Sequence, residues 1–231
     1  MIQHHLKKIL TLAAMAALVA CSDSNTKSTD ADTAKSAEQN VPNQSAPVKT
    51  VLVFGDSLTA GYGLEDPEDD AYPSVLQQKI KEANLPYNVV NGGNSGETSA
   101  GGLSRIDWVL KRKVDVFVLE LGANDGLRGV PVKTTTQNLQ AIIDKVKDKY
   151  PDAKLVICGM QMPPSMGAAY TADYKAMFPK LAEKNHMALV PFLLENVGGI
   201  AKLNQADGIH PTKEGAKIVA NNVWKVLKDV L

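Results

Sequence analysis

The chain has 231 residues, which is enough for one sizeable α/β domain or two small ones. Its composition, 44% hydrophobic and 22% charged, excludes a collagen, a coiled coil and a globally disordered chain. The formal net charge is zero, so the charge balance gives no reason to expect a nucleic-acid partner.

The N-terminus has the layout of a secretory signal. Two lysines in the first ten residues are followed by an uncharged apolar run over 9–20 and then by Cys21. The run is shorter than the roughly 20 apolar residues that a membrane span needs. Residues 18–21, Leu-Val-Ala-Cys, resemble a bacterial lipobox. We therefore predict a signal peptide over 1–20 and a lipid on Cys21 that anchors the protein to a membrane; the alternative is an ordinary signal with a coincidental cysteine.

The next segment, 22–48, predicts a tether rather than a folded unit. It has no aromatic residue, and its only large apolar side chains are Val41 and Val48. Such a segment cannot bury enough surface to offset its ordering entropy, and random-coil scaling gives it a reach of about 30 Å. We expect a protein of the bacterial cell envelope that faces the periplasm. By the lipobox resemblance Ser22 permits transport to the outer membrane, although Asp23 leaves the inner membrane open.

From residue 49 onward, short apolar runs alternate with amphipathic stretches. Continuous apolar runs fit strands buried on both faces of a parallel sheet, and they lie at 51–54, 89–90, 114–121, 155–158 and 188–194. Apolar residues at helical spacing predict helices at 75–83, 139–150, 177–182 and 218–230. This alternation predicts one α/β domain over 49–231 with a doubly wound parallel sheet of about five strands.

In such a sheet, chemistry is expected just after the carboxyl ends of the strands. The first strand is followed by Gly-Asp-Ser-Leu at 55–58, where Ser57 could point into the crevice or, with Asp56, merely cap a helix. After the second strand, three glycines within 92–96 would let backbone approach a substrate closely. After the third strand, the amide of Asn124 could donate to an oxyanion. Taken singly, each of the last two segments is better explained as an ordinary turn.

The histidines narrow the choice of a catalytic base. His4 and His5 lie in the predicted signal, which leaves His186 and His210. His186 ends an amphipathic helix, where a cation is favourable in any case. His210 precedes the last helix and follows Asp207 by three residues, so Asp207 could fix its tautomer and stabilise its imidazolium. Alternatively, Asp207 only bonds backbone in a capping loop.

Together these segments resemble the four conserved blocks of the SGNH hydrolases, also called the GDSL family. The matching residues are Gly55-Asp56-Ser57-Leu58, Gly96, Gly122-Ala123-Asn124-Asp125 and Asp207-x-x-His210. They occur in the family's order, and the resemblance spans roughly 50–230. The stretches GDSLTAGYGL and ELGANDGLRG are most similar to the multifunctional thioesterase/lysophospholipase and arylesterase branch.

The resemblance implies a flavodoxin-like three-layer α/β/α sandwich and a role for each matching residue. Ser57 would be the nucleophile, His210 the general base and then acid, and Asp207 the residue that orients His210. The backbone N–H groups of Ser57 and Gly96 and the side-chain amide of Asn124 would form the oxyanion hole. The family needs no metal or organic cofactor for this chemistry, and we expect none here.

The substrate pocket is less clearly indicated. The loop 161–170, with two prolines and two methionines after a strand, differs from close thioesterases and either borders an acyl pocket or is a plain connection. We assign four residues to the pocket, from this loop and from the stretch after the oxyanion block: Leu127, Arg128, Met162 and Tyr170. Ala123 replaces the second glycine of close relatives and could narrow the site.

These inferences predict a serine hydrolase of carboxylic esters that takes a lipid or small-molecule ester, with an oligomeric state that the sequence leaves open. In the envelope, lipid esters would be within reach and cytosolic acyl-CoA would not, which disfavours a physiological thioesterase role. Two alternatives stay open: a carbohydrate O-deacetylase of the same family, and a catalytically idle, lipid-anchored binding module.

Overall fold

One parallel sheet organises the domain. The computed structural model describes residues 47–231, so the predicted signal, Cys21 and the tether up to residue 46 lie outside the described residues. The strands are β1 (Lys49–Gly55), β2 (Tyr87–Gly93), β3 (Val116–Glu120), β4 (Lys154–Cys158) and β5 (Ala188–Val190). Their order is β2-β1-β3-β4-β5, with every neighbouring pair parallel. The winding therefore reverses between β1 and β3, and the crevice at such a switch point is where ligands bind.

Helices cover both faces of this sheet. They are α1 (Ser57–Ala60), α2 (Pro67–Asp70), α3 (Tyr72–Glu82), α4 (Ser99–Val109), α5 (Ala123–Leu127), α6 (Val132–Lys149), α7 (Ala168–Asn185) and α8 (Lys213–Leu227). α3 packs against α8, whereas α6 packs against α4 and α7. The predicted apolar stripes supply the core: Ile80, Ile142 and Val223 are fully buried. The three-layer α/β/α sandwich with a five-stranded parallel sheet is confirmed. No helix within 47–231 is long and apolar enough to cross a membrane.

The last strand is shorter than predicted. β5 ends at Val190, whose carbonyl accepts the N–H of Gly159 at 2.8 Å. A regular parallel ladder would continue with the N–H of residue 192, but the next donor is one residue later. Beyond it, the N–H of Leu193 donates to the carbonyl of Gly159 at 2.9 Å, which turns the chain away from the sheet. The rest of the apolar run, including Phe192, is thereby free to contribute to the catalytic edge. An uninterrupted apolar run does not reveal this change of direction.

The sequence pattern does not predict α4, because two adjacent glycines weaken its helix propensity. Thr98 caps it by accepting the N–H of Gly101 at 3.2 Å. Packing requires the second glycine: a Cβ on Gly102 would lie 3.2 Å from the Phe54 ring and closer still to Leu121. α4 therefore lies close against the sheet and begins beside the glycine-rich turn that follows β2.

Candidate active site

The candidate nucleophile lies where β1 leaves the sheet. A Cβ on Gly55 would lie 2.7 Å from the carbonyl oxygen of Glu120 and closer still to its carboxylate, so only glycine fits there. Asp56 then caps α1 by accepting the N–H of Leu58 at 3.0 Å. Ser57, the first residue of that helix, is 8% exposed and borders a cleft at the carboxyl edge of the sheet.

His210 joins Ser57 to Asp207 through two hydrogen bonds. Its Nε2 lies 2.8 Å from Ser57 Oγ, across 153 residues of sequence, and its Nδ1 lies 2.7 Å from Asp207 Oδ2. Asp207 Oδ1 also accepts the N–H groups of Ile209 and His210, each at 3.0 Å. The hydrogen bond from the His210 side chain and then these backbone donors lower the pKa of Asp207 to about 2. Asp207 is thus a carboxylate at neutral pH, able to stabilise an imidazolium.

The groups predicted to form an oxyanion hole lie beside Ser57. Gly96 has φ +78°, a left-handed conformation that favours glycine. The amide nitrogen of Asn124 donates to Asp56 Oδ2 at 3.1 Å and to the carbonyl of Glu97 at 3.0 Å. Asn124 therefore connects the turn that carries Ser57 to the loop that carries Gly96. Donation to an oxyanion requires that one of these two hydrogen bonds be shared.

The cleft has a polar end and an apolar wall. Its volume is about 800 Å³, within the usual range for small-molecule sites. The polar end carries Ser57, His210 and Asn124. The wall consists of aliphatic, aromatic, proline and methionine side chains: Leu58, Leu127, Met160, Met162, Pro163, Pro164, Phe192, Leu194 and Ile209. This arrangement suits a substrate with one polarised carbonyl and an attached hydrocarbon. No group of three or more His, Cys, Asp or Glu side chains within 47–231 is placed to hold a metal ion.

Two of the four residues assigned to the pocket from the sequence line this cleft, namely Leu127 and Met162. Arg128 and Tyr170 are not among the residues that line it, and both side chains are engaged in other contacts. Arg128 donates to the carbonyl of Gly96 at 3.1 Å. Gly96 lies in the loop between β2 and α4, which we call the oxyanion loop. Tyr170 belongs to α7, and its hydroxyl donates to the carbonyl of Val130 at 2.7 Å. Of the loop 161–170, only residues 161–164 reach the cleft.

Two buried carboxyl groups next to Ser57 were not identified as site residues. Glu120 Oε2 accepts the N–H of Asp56 at 3.2 Å and the hydroxyl of Thr59 at 2.7 Å, and that hydroxyl lies 2.8 Å from the hydroxyl of Tyr72. Burial raises the pKa of Asp56 to about 6. Burial, and then the charge of Asp56, raises the pKa of Glu120 well above its usual range. The one feature of the sequence that could have indicated this cluster is the carboxylate of Glu120 at the end of an apolar strand.

A buried ion pair positions the loop that carries Gly96. Glu97 is 5% exposed, and its two carboxylate oxygens accept the Nε–H of Arg105 at 2.6 and 2.7 Å. The same guanidinium donates to the carbonyl of Gly92 at 2.8 Å and lies 4.1 Å from the centre of the Phe54 ring. Arg105 thereby ties the oxyanion loop to the ends of β1 and β2. Nothing in the local sequence indicates this pair.

Replacing Asp56 with Asn should change how stability depends on pH. The folded state holds the Asp56 proton up to about pH 6, whereas an unfolded chain loses it near 3.8. The folded state therefore binds more protons between pH 4 and 6, so the free energy of unfolding falls as pH rises through that window. Asp56→Asn should flatten this fall, as measured by urea unfolding at several pH values.

Asp207→Asn serves as the control for that measurement. The pKa of Asp207 is lowered to about 2, so its contribution to stability is present above pH 4 and is lost only below it. In Asp207→Asn, the free energy of unfolding should therefore change with pH between 4 and 6 as steeply as in the wild type. Identical slopes in all three proteins would contradict the raised pKa of Asp56.

The amino-acid sequence of the chain matches a known protein family. Residues 53–218 match the GDSL-like Lipase/Acylhydrolase family. Esterase TesA of Pseudomonas aeruginosa is 39% identical over 189 residues, which cover 81% of this chain and 92% of that protein. An arylesterase of Vibrio mimicus is 38% identical over 178 residues, which cover 77% of this chain and 87% of that protein.

Solved structures agree with the sequence matches. The crystal structure of TesA has a TM-score of 0.75 at 39% identity and covers 79% of this chain and 100% of that one. A structure of the psychrotrophic esterase EstA from Pseudoalteromonas sp., inhibited by monoethylphosphonate, has a TM-score of 0.73 at 31% identity. It covers 79% of this chain and 98% of that one. The chain belongs to the GDSL-like lipase/acylhydrolase family.

Proposed function

We propose that the chain hydrolyses carboxylic esters through an acyl-enzyme on Ser57. The observation that carries the proposal is the hydrogen-bonded series from Ser57 through His210 to Asp207, with distances of 2.8 and 2.7 Å, at the polar end of an apolar cleft. A nucleophile, a base and a residue that orients the base are the parts that acyl transfer needs. TesA, EstA and the Vibrio mimicus protein are all named as esterases, which supports the same reaction class.

In the first step, Ser57 attacks the ester carbonyl. His210 Nε2 takes the hydroxyl proton as the bond from Oγ to the carbonyl carbon forms, while Asp207 keeps the proton on Nδ1. The resulting oxyanion accepts hydrogen bonds from the N–H groups of Ser57 and Gly96 and from the amide of Asn124. One such donor typically contributes a factor of about 100 to 1000 in kcat.

In the second step, the acyl-enzyme is hydrolysed. The alcohol leaves with the proton that His210 now donates, and the acyl group stays on Ser57 Oγ. His210 then takes a proton from water as the water attacks the acyl carbon. Collapse of that second tetrahedral species releases the carboxylic acid and returns the proton to Ser57.

The wall of the cleft favours an acyl or aryl ester over an acetylated sugar. Side chains such as Met162, Phe192 and Leu194 offer apolar contact and no hydrogen bonds. Such side chains outnumber the amides of Gln161 and Asn204, which also line the cleft and could bond the hydroxyl groups of a carbohydrate. A lysophospholipid-type or aryl ester fits this chemistry, and a thioester would react by the same two steps. The carbohydrate O-deacetylase remains an outcome of the assay below.

Hydrolysis of p-nitrophenyl esters of increasing acyl length tests this proposal. Ser57→Ala and His210→Ala should each lower kcat by at least about 1000-fold, because the nucleophile and its base act as a unit. His186→Ala is the matched control, because His186 is exposed at the end of α7 and should be dispensable. A wild type that is folded but inert on every ester would favour the binding module. Activity confined to acetate esters would favour the deacetylase.

We also propose that the protein is a lipoprotein of the bacterial envelope. The apolar run over 9–20 and the lipobox-like Leu-Val-Ala-Cys at 18–21, with which it ends, support removal of the signal and lipidation of Cys21. The domain would then face the periplasm, with the outer membrane favoured by Ser22. Metabolic labelling with palmitate should mark the wild type and not Cys21→Ser. Equal labelling of both would contradict the anchor.

A further inference from the structure

Two exposed apolar side chains lie far from the catalytic cleft. The large apolar side chains exposed within 47–231 are Val48, Tyr62, Trp108, Leu127, Ile200 and Ile209. Three of these line the cleft, and Ile200 directly follows its rim at Gly199. The remaining two, Val48 and Trp108, are 60% and 70% exposed. The ester site gives no reason for their exposure.

Both residues lie at the amino-terminal edge of the sheet, opposite the cleft. Val48 directly precedes β1. Trp108 is in the last turn of α4, which starts beside the oxyanion loop and runs back along the sheet for 11 residues, or about 16 Å. The chain that links the domain to residues 1–46 therefore enters at the same edge that carries Trp108.

A cluster of cations surrounds these two residues. Lys111, Arg112 and Lys113 are consecutive and exposed in the turn between α4 and β3, and Lys49 is exposed at the start of β1. We refer to Val48, Lys49, Trp108 and residues 111–113 as the basic edge.

Backbone and side-chain hydrogen bonds bring the parts of the basic edge together. The N–H of Thr50 donates to Asp115 Oδ2 at 2.9 Å, and the N–H of Asp115 donates to the carbonyl of Thr50 at 3.0 Å. The turn that holds the three cations therefore lies beside the start of β1. The hydroxyl of Tyr150 donates to the carbonyl of Arg112 at 2.7 Å, which fixes that turn against the end of α6.

The nearby acids do not neutralise this charge. Asp107 pairs with Lys145 at 2.6 Å, and Asp115 pairs with Lys113 at 2.9 Å. Among the described residues, Lys49, Lys111 and Arg112 form no ion pair. Lys49, whose Nζ lies 5.5 Å from the centre of the Tyr87 ring, is thus the most engaged of the three. Lys111 and Arg112 lie on the edge that carries an exposed indole, the side chain that is enriched where membranes meet water.

We propose that the basic edge docks on a membrane that contains anionic phospholipid. Lys49 and residues 111–113 would contact the lipid phosphates, and Trp108 would enter the headgroup layer. Each cation near an anionic bilayer strengthens binding roughly fivefold. The proposal goes beyond the ester hydrolase function and does not require a lipid on Cys21. Its consequence is that the cleft faces away from the docked membrane, so substrate arrives from the opposite side.

Quenching of Trp108 fluorescence by vesicles tests the docking. The protein tested is the full chain with Cys21→Ser, which removes the proposed lipidation site. It also carries Trp224→Phe, so that Trp108 is the one tryptophan left of the two in the sequence. The vesicles consist of phosphatidylcholine alone or with phosphatidylglycerol, and they include a lipid with a nitroxide on its headgroup. Quenching is expected to be stronger with phosphatidylglycerol than with phosphatidylcholine alone, and high salt, which screens the charges, should remove the difference.

Charge reversal separates a specific surface from general attraction. Lys111→Glu with Arg112→Glu and Lys113→Glu should weaken vesicle binding at least tenfold. The same change in net charge elsewhere on the domain, Lys133→Glu with Lys175→Glu and Lys202→Glu, should alter binding less than about threefold. Both triple variants should keep the kcat of the parent on a soluble ester, which shows that they fold.

The outcomes that overturn the docking are distinct from those that overturn ester hydrolysis. Equal quenching with and without phosphatidylglycerol, absence of quenching, or equal loss of binding in the two triple variants would each contradict the docking. The apolar run over 9–20 is common to all variants, so it cannot produce a difference between them. Loss of activity in every protein, with quenching retained, would instead count against the hydrolase.

Discussion

The turn at the end of β1 is the constraint on which the catalytic edge depends. Gly55 has no room for a side chain because the carboxyl group of Glu120 fills the space behind it. That carboxyl group accepts the N–H of Asp56, and Asp56 in turn accepts from Leu58 and Asn124. One buried cluster therefore fixes the start of α1 and an oxyanion donor together. Burying two carboxyl groups is costly unless hydrogen bonds compensate, and here they also position the chemistry.

The fold and the residues that meet at the catalytic edge could be predicted from the sequence because local signals, and the resemblance to the SGNH blocks, mark them. Apolar runs and helical stripes predict the alternation, and the strand-end rule directs attention to Ser57 and Asn124. With only two histidines outside the signal, elimination leaves little choice of base. The pairing of His210 with Asp207 is also local, because they are three residues apart. The functional roles of these residues remain predictions until variants are assayed.

The parts that could not be predicted depend on contacts between distant segments. Glu97 pairs with Arg105, which lies two turns into a helix that the sequence pattern does not predict. Glu120 accepts the N–H of Asp56, which follows the neighbouring strand in the sheet. Tyr170 was assigned to the pocket as part of the loop 161–170 that follows a strand, but it lies in α7 and its hydroxyl donates to a backbone carbonyl. Phe192 reaches the cleft because β5 ends at Val190, two residues earlier. The neutral net charge likewise conceals a local basic cluster.

The parallel sheet separates two surfaces of opposite character. Its carboxyl edge carries the cleft and the proposed catalytic groups, and its amino edge carries Trp108 and the cations. Helices that run antiparallel to the strands connect the two edges.

Labelling with an active-site phosphonate tests the central claim most directly. Attack by Ser57 Oγ on p-nitrophenyl ethylphosphonate would form a bond to phosphorus and release p-nitrophenolate. We expect one adduct per chain, on the peptide that contains Ser57, with labelling lost in His210→Ala. An adduct on a different residue, or an undiminished labelling rate in His210→Ala, would contradict the assignment of Ser57 as nucleophile and His210 as its base.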